Sequence, residues 1–131
     1  MKQEVTITLP VKKRRINMDD HKCSVITTLK IFAAKWKPCI LCYLGEHPMR
    51  YNELYRMVPN ISRKMLSDHL KEMEKDELII RKQFDRKRQR VEYDLSDKGR
   101  SLLRILEDIQ HWGLKNLPGV LSIKEMICLS T

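Results

Sequence analysis

The stretch ISRKMLSDHLKEMEKDELIIRKQFDRKRQRVEYDL, residues 61–95, decides the fold because its periodicity changes partway along. In the first half, Leu66, Leu70 and Met73 recur at spacings of 4 and 3. That is the inward stripe of an amphipathic helix, one that Ser62 can cap and that runs to about Asp76. Arg63, Lys64, Ser67, Asp68 and Lys71 fall on its outward side near the start. In the second half the period drops to two. Ile80, Lys82 and Phe84 alternate with Arg81 and Gln83, and Val91, Tyr93 and Leu95 alternate with Arg90, Glu92 and Asp94. Two such runs around a polar tip at residues 85–89 predict a β-hairpin. Just upstream, Leu54, Met57 and Val58 mark a short helix over Tyr51 to Val58 that Pro59 ends. Two short helices joined by a tight turn, followed by a basic hairpin, predict a winged helix-turn-helix.

Working outward, Val25, Leu29, Phe32 and Trp36 recur at helical spacing after a capping Ser24. Pro38 opens an apolar run, Cys39 to Leu44, that stops at Gly45, and the run reads as a buried helix. On the other side, Ser96 caps a long helix over Asp97 to about Asn116. Its Leu102, Leu103, Ile105, Leu106, Ile109, Trp112, Leu114 and Leu117 span an arc of roughly 200°, twice the ~100° stripe needed to dock a helix on its own domain. A second copy of the chain is the simplest cover for the surplus. This predicts a homodimer in which Leu102, Ile105, Leu106, Ile109 and Trp112 form the interface. The expected fold class is therefore mainly α with a small β-hairpin (α+β), a winged helix-turn-helix with a long C-terminal dimerisation helix. Residues 1–20 read as an N-terminal arm, 21–117 as one DNA-binding and dimerisation domain, and 118–131 as a tail.

The 131 residues hold 42% hydrophobic and 33% charged side chains, the balance of a folded domain with a soluble surface. No apolar run approaches the ~18–20 residues of a membrane span, and the N-terminus lacks a signal-peptide core. The expected location is therefore the cytoplasm, with no membrane partner. Twenty-six Lys and Arg against seventeen Asp and Glu give a net charge of +9, which favours a polyanionic partner. The charge is local: residues 81–90, RKQFDRKRQR, carry six basic side chains and one acidic. A second basic run, Lys12 to Arg15, lies in the arm. There is no glycine-rich phosphate loop, no metal motif and no nucleophile beside a base, so the chain reads as non-enzymatic, without metal or cofactor.

The partner those features fit is double-stranded DNA. The major groove, about 12 Å wide, admits one α-helix whose outer side must be polar and long-reaching. Ser62, Arg63, Lys64, Ser67, His69 and Lys71 are the candidate readers on that helix, with Arg63 or Lys64 suited to guanine O6 and N7. Arg86, Lys87, Arg88 and Arg90 on the hairpin are candidates for phosphates or the minor groove. Lys35, Lys37 and Asn52 are further backbone-contact candidates. The competing reading is a winged helix that binds RNA or another protein, and such domains usually lack a basic helix paired with a basic wing.

Four cysteines, Cys23, Cys39, Cys42 and Cys128, read as reduced thiols in a cytoplasmic chain. Cys39 and Cys42 form a C-x-x-C inside an apolar segment, with no second pair to complete a zinc site, so packing is the expected role. Cys23 sits instead at a polar boundary before a helix start, flanked by His21 and Lys22, where a thiol becomes more reactive.

Together, Cys23, Lys35-Trp36-Lys37, Arg50 to Leu54, Ile61 to Leu66 and Arg90 to Gly99 resemble the HxlR family of bacterial and archaeal transcription regulators, which are related to MarR proteins. The resemblance spans about residues 23 to 113. It implies a dimeric winged helix-turn-helix on a near-palindromic operator, acting as repressor or activator, with Cys23 matching the thiol through which some members sense oxidants or electrophiles. The chain departs from the pattern at Ala33-Ala34 and at Glu77, positions where the family has glycine, and in its proline-free wing tip. A left-handed residue at 77 costs a side chain roughly 1 kcal/mol or more, so the turn after the second helix is expected to take another shape.

Overall fold

The computed structural model describes residues 23–85 and 90–130. The order is α1 (Ser24–Phe32), α2 (Lys37–Glu46), α3 (Tyr51–Met57), α4 (Arg63–Lys75), β1 (Ile79–Asp85), β2 (Arg90–Leu95), α5 (Asp97–Asn116) and α6 (Ile123–Ser130). This is the expected α+β winged helix-turn-helix, with adjustments at its edges. Cys23 rather than Ser24 occupies the cap of α1, and the helix stops at Phe32, so Trp36 belongs to the turn before α2. In the stretch read as the tail, α6 forms and Ile123 packs against the main core. The arm, residues 1–20, lies outside the described residues.

The core centres on α2, whose Ile40, Leu41, Tyr43 and Leu44 are fully buried because the segment is apolar on nearly every side. Against it pack Leu54 of α3, Leu66, Leu70 and Met73 of α4, and Leu102 and Leu106 of α5. The last two were expected at a dimer interface, but at 7% and 5% exposure they belong to the chain's own core. Ser62 caps α4 by accepting from the Met65 N–H at 3.0 Å, which stabilises the helix by about 1 kcal/mol. The turn before it uses Asn60 at φ 64°, left-handed backbone that asparagine tolerates well.

At its other end α4 closes with paired bonds, Glu77 N–H to the Glu74 carbonyl at 3.0 Å and Leu78 N–H to the Met73 carbonyl at 2.9 Å. This Schellman geometry requires a left-handed residue, and Glu77 adopts φ 62°. The expected change of turn shape does not occur. The helix's terminal carbonyls and the burial of Leu78 and Ile79 hold the left-handed turn although no glycine is present.

The wing is an antiparallel pair with Ile79 opposite Leu95, Arg81 opposite Tyr93 and Gln83 opposite Val91. Its inward face starts at Ile79, one residue before the alternation read from the sequence, and Ile80 and Phe84 lie on the solvent side. Reciprocal bonds between Met49 and Tyr93, 2.9 and 2.7 Å, pin the wing to the segment before α3. Asp94, nearly buried, accepts from the Leu95 N–H at 2.8 Å and pairs with Lys82 and Arg100, tying the wing to α5.

At the start of α5, Ser96 Oγ accepts from the Gly99 N–H at 3.0 Å and donates to the Glu77 carbonyl at 2.5 Å. Its N–H donates to the Leu78 carbonyl at 3.1 Å. Gly99 then passes so close that a Cβ there would collide with the Leu78 carbonyl oxygen. Gly99→Ala should therefore lower the melting temperature by about 10 °C, the loss of about 2 kcal/mol in a small domain. By contrast, Glu77→Gly should raise it by about 2–4 °C, because relief of the left-handed strain exceeds the added chain entropy. Thermal unfolding followed by circular dichroism checks both; a neutral Gly99→Ala would contradict the contact, and a destabilising Glu77→Gly would contradict the strain.

Candidate nucleic-acid interface

The exposed face of α4 carries Arg63, Lys64, Asp68 and Lys71, with the capping Ser62 also exposed. Arg63 is held by its neighbours. Its guanidinium lies 4.2 Å from the centroid of the Tyr55 ring and 5.9 Å from that of Tyr51. The Tyr51 hydroxyl donates to the Arg63 carbonyl at 3.0 Å and lies 3.1 Å from Ser67 Oγ. Ser67 is accordingly half-buried along the seam between α3 and α4.

Two expected contact residues turn inward. Lys37 is only 4% exposed, and its ammonium is paired with Glu72 on α4. It is not the exposed DNA-backbone contact expected of it, because it occupies the first position of α2 and pairs with the flank of α4. His69 is half-buried too, and its Nδ1 is buried without a hydrogen-bond partner among the described residues. One turn from Leu66 and Met73 along the helix, it sits on the inner flank instead of reaching bases. Burial, with the nearby Lys37 charge, lowers the His69 pKa, while the hydrogen bond and charge of Lys37 hold the Glu72 carboxyl below its usual range.

Lys35 and Asn52 remain exposed, Lys35 with its ammonium 4.9 Å from the Trp36 ring centroid. Asn52 lines an open groove of about 600 Å³ between α3 and the wing, together with Arg50, Tyr51, Glu53, Arg56 and Val91. Arg50 and Arg56 were missed in the sequence, although Arg56 follows Asn52 by one helical turn and shares its face. On the wing, Arg81, Lys82 and Arg90 are exposed, Lys82 lying 3.5 Å from Asp94 and Arg90 3.1 Å from Glu92. Arg86, Lys87 and Arg88 lie outside the described residues.

The thiols divide. Cys39 and Cys42 are half-buried in α2, and burial pushes both up, Cys42 to about 12. Cys23 stands at the cap position of α1, half-buried and without a side-chain capping bond. On α5, the expected interface residues Ile105, Ile109 and Trp112 are exposed at 49%, 49% and 62%, in contrast to Leu102 and Leu106.

A capped helix presented behind a short helix and a tight turn, beside a two-stranded basic wing, defines a winged helix-turn-helix regulator. Residues 31–120 match the model of the HxlR-like helix-turn-helix family, and the chain belongs to that family. It is similar to the regulatory protein MalR of Fusobacterium mortiferum, 43% identical over 97 residues that cover 73% of this chain and 92% of MalR. The HTH-type transcriptional regulator YtcD of Bacillus subtilis is 41% identical over 97 residues, 74% of this chain and 77% of YtcD. The crystal structure of ytcD superposes with a TM-score of 0.69, covering 72% of this chain and 97% of that one. The redox regulator HypR in its reduced form superposes at 0.70 with 31% identity, covering 73% and 95%. No described helix is long and apolar enough to cross a membrane.

The Lys37, Glu72 and His69 cluster predicts an acid-sensitive hold on α4. Both titrating groups have folded pKa values below their ordinary ones, so each contributes stability at higher pH that is lost as pH falls. The His69 contribution fades from its ordinary 6.5 downward, and that of Glu72 below its ordinary 4.5. Urea midpoints measured from pH 7 to pH 3 should show His69→Gln flattening the upper part of this decline and Glu72→Gln the lower part. Wild-type slopes retained in both variants would refute the cluster's role.

Proposed function

We propose that this protein is a cytoplasmic regulator that binds a near-palindromic duplex operator as a homodimer, with binding tuned by oxidation at Cys23. The single observation that carries the DNA reading is the exposed Arg63, Lys64 and Lys71 face of α4 beside a wing bearing Arg81, Lys82 and Arg90. In this reading α4 enters the major groove, and Arg63, Lys64 and Lys71 meet bases and phosphates there. Arg86, Lys87, Arg88 and Arg90 add the salt-sensitive grip of the wing. Lys35, Asn52, Arg50 and Arg56 line the flanking backbone. The homodimer reading rests on the apolar face that Ile105, Ile109 and Trp112 leave exposed, which a second copy would cover. Two-fold symmetry would place the two α4 helices about one helical turn of DNA, roughly 34 Å, apart. HypR, a redox regulator, lends support to the Cys23 role.

A mobility-shift titration against duplexes selected from a random pool tests this reading. The expected result is specific binding that weakens steeply with salt and is lost about tenfold or more in Arg63→Ala. Ile109→Glu should yield a monomer by sedimentation and lose operator binding. Diamide should release wild type but not Cys23→Ser. Preference for RNA at matched salt, or no duplex binding, would favour the rival nucleic-acid or protein-interaction class, and equal responses to diamide would remove the sensor.

A further inference from the structure

The two tyrosines of α3 do more than support the next helix. Tyr51 and Tyr55 stand one turn apart, and both face the first turns of α4. The direction of their hydrogen bonds follows from the atoms involved. The Arg63 carbonyl carries no proton, so at 3.0 Å the Tyr51 hydroxyl must donate to it. Its hydrogen spent, Tyr51 Oη can only accept from Ser67 Oγ at 3.1 Å. Ser67 thus turns its proton inward and keeps only lone pairs for an outside partner. Arg63 is the opposite, a guanidinium with five N–H donors and no acceptor. Tyr55 holds that guanidinium over its ring at 4.2 Å, so little rotamer freedom remains to be lost when a base is met.

A group that only donates therefore sits one helical turn from a group that only accepts. The major groove distinguishes these: guanine offers N7 and O6 as acceptors, while adenine N6 and cytosine N4 are the exocyclic donors. We propose that Tyr51 and Tyr55 are positioning residues that fix the polarity of base reading, Arg63 for guanine and Ser67 for a base bearing an exocyclic amine. This rests on the reading of α4 as the DNA-reading helix. Asp68 is exposed and also an acceptor, and the Tyr51 hydroxyl bonds Arg63 and Ser67 instead, so any preference Asp68 creates should survive changes at Tyr51.

The test is to select bound duplexes from a randomised pool with wild type, Tyr51→Phe, Tyr55→Leu and Tyr55→Phe, and to measure random-sequence affinity and its salt slope in parallel. Wild type should enrich a half-site with a guanine and, at a nearby position, adenine or cytosine. In Tyr51→Phe the Ser67 hydroxyl is free to turn, so preference for amino over keto bases should fall to within about twofold at that one position. The guanine should persist. In Tyr55→Leu the guanine preference should fall about two- to fivefold, while Tyr55→Phe, which keeps the ring face, should match wild type. Unchanged salt slopes and random-sequence affinities show that the variants remain folded and bound. Unaltered base preferences in Tyr51→Phe, or wild-type guanine selection in Tyr55→Leu, would overturn the positioning role while leaving DNA reading by α4 intact. A wild-type protein that enriches no sequence would overturn both.

Discussion

The helix α4, the wing and the long α5 meet at one turn, where Ser96 and Gly99 hold the backbone of Glu77 and Leu78. The Leu78 carbonyl accepts from the Ser96 N–H at 3.1 Å while Gly99 presses against the same carbonyl. The Ser96 hydroxyl is shared between capping α5, where it accepts from the Gly99 N–H, and fixing the turn after α4, where it donates to the Glu77 carbonyl. A change at this turn would shift the angle at which α4 and the wing leave the core. The absence of a Cβ at Gly99 and the left-handed Glu77 are therefore parts of one constraint, a close backbone crossing that only a narrow set of residues permits.

From that crossing outward, α4 is gripped on both flanks. On one side Tyr51 bonds its first turn and Tyr55 carries the Arg63 guanidinium. On the other, the buried Lys37 pairs with Glu72, and His69 lies alongside. Burying an ammonium is unfavourable unless it is paired, so the Lys37 contact stabilises only one placement of α4 against α2. What the grips leave exposed is the outer face with Arg63, Lys64, Asp68 and Lys71. Orientation and surface charge thus arise from the same packing, because the residues that fix the helix are drawn from its two sides.

The long α5 carries two apolar stripes. Leu102 and Leu106 fill the domain's own core, while Ile105, Ile109 and Trp112 project from the adjoining side. Residues one position apart along a helix diverge by 100°, so a single apolar arc of the observed width divides between the domain core and the exposed surface. α6 then folds back so that Ile123 meets the core, leaving Leu117, Val120 and Leu121 exposed near the end of α5.

Much of this was legible in the sequence, because local periodicity and caps act within a few residues. The 4-and-3 spacing of Leu66, Leu70 and Met73, the capping serines Ser62 and Ser96, and the alternation on both sides of the wing tip specified a winged helix-turn-helix and, with the ordered motifs, its family. Charge density named the basic face. What remained hidden depends on which neighbour a side chain meets. Lys37 looks like Lys35 in the sequence, but one is buried against Glu72 and the other is exposed beside Trp36. Leu106 and Ile109 belong to the same apolar arc, and only packing assigns one to the core and the other to the surface. Glu77 reads as a barrier to a left-handed turn, yet the bonds from 77 and 78 back to α4 impose it. The sequence by itself determined the elements and their chemistry, because those follow from interactions along the chain. Tertiary structure alone decided which polar groups face out and how they are oriented, because burial and pairing are set by residues distant in sequence.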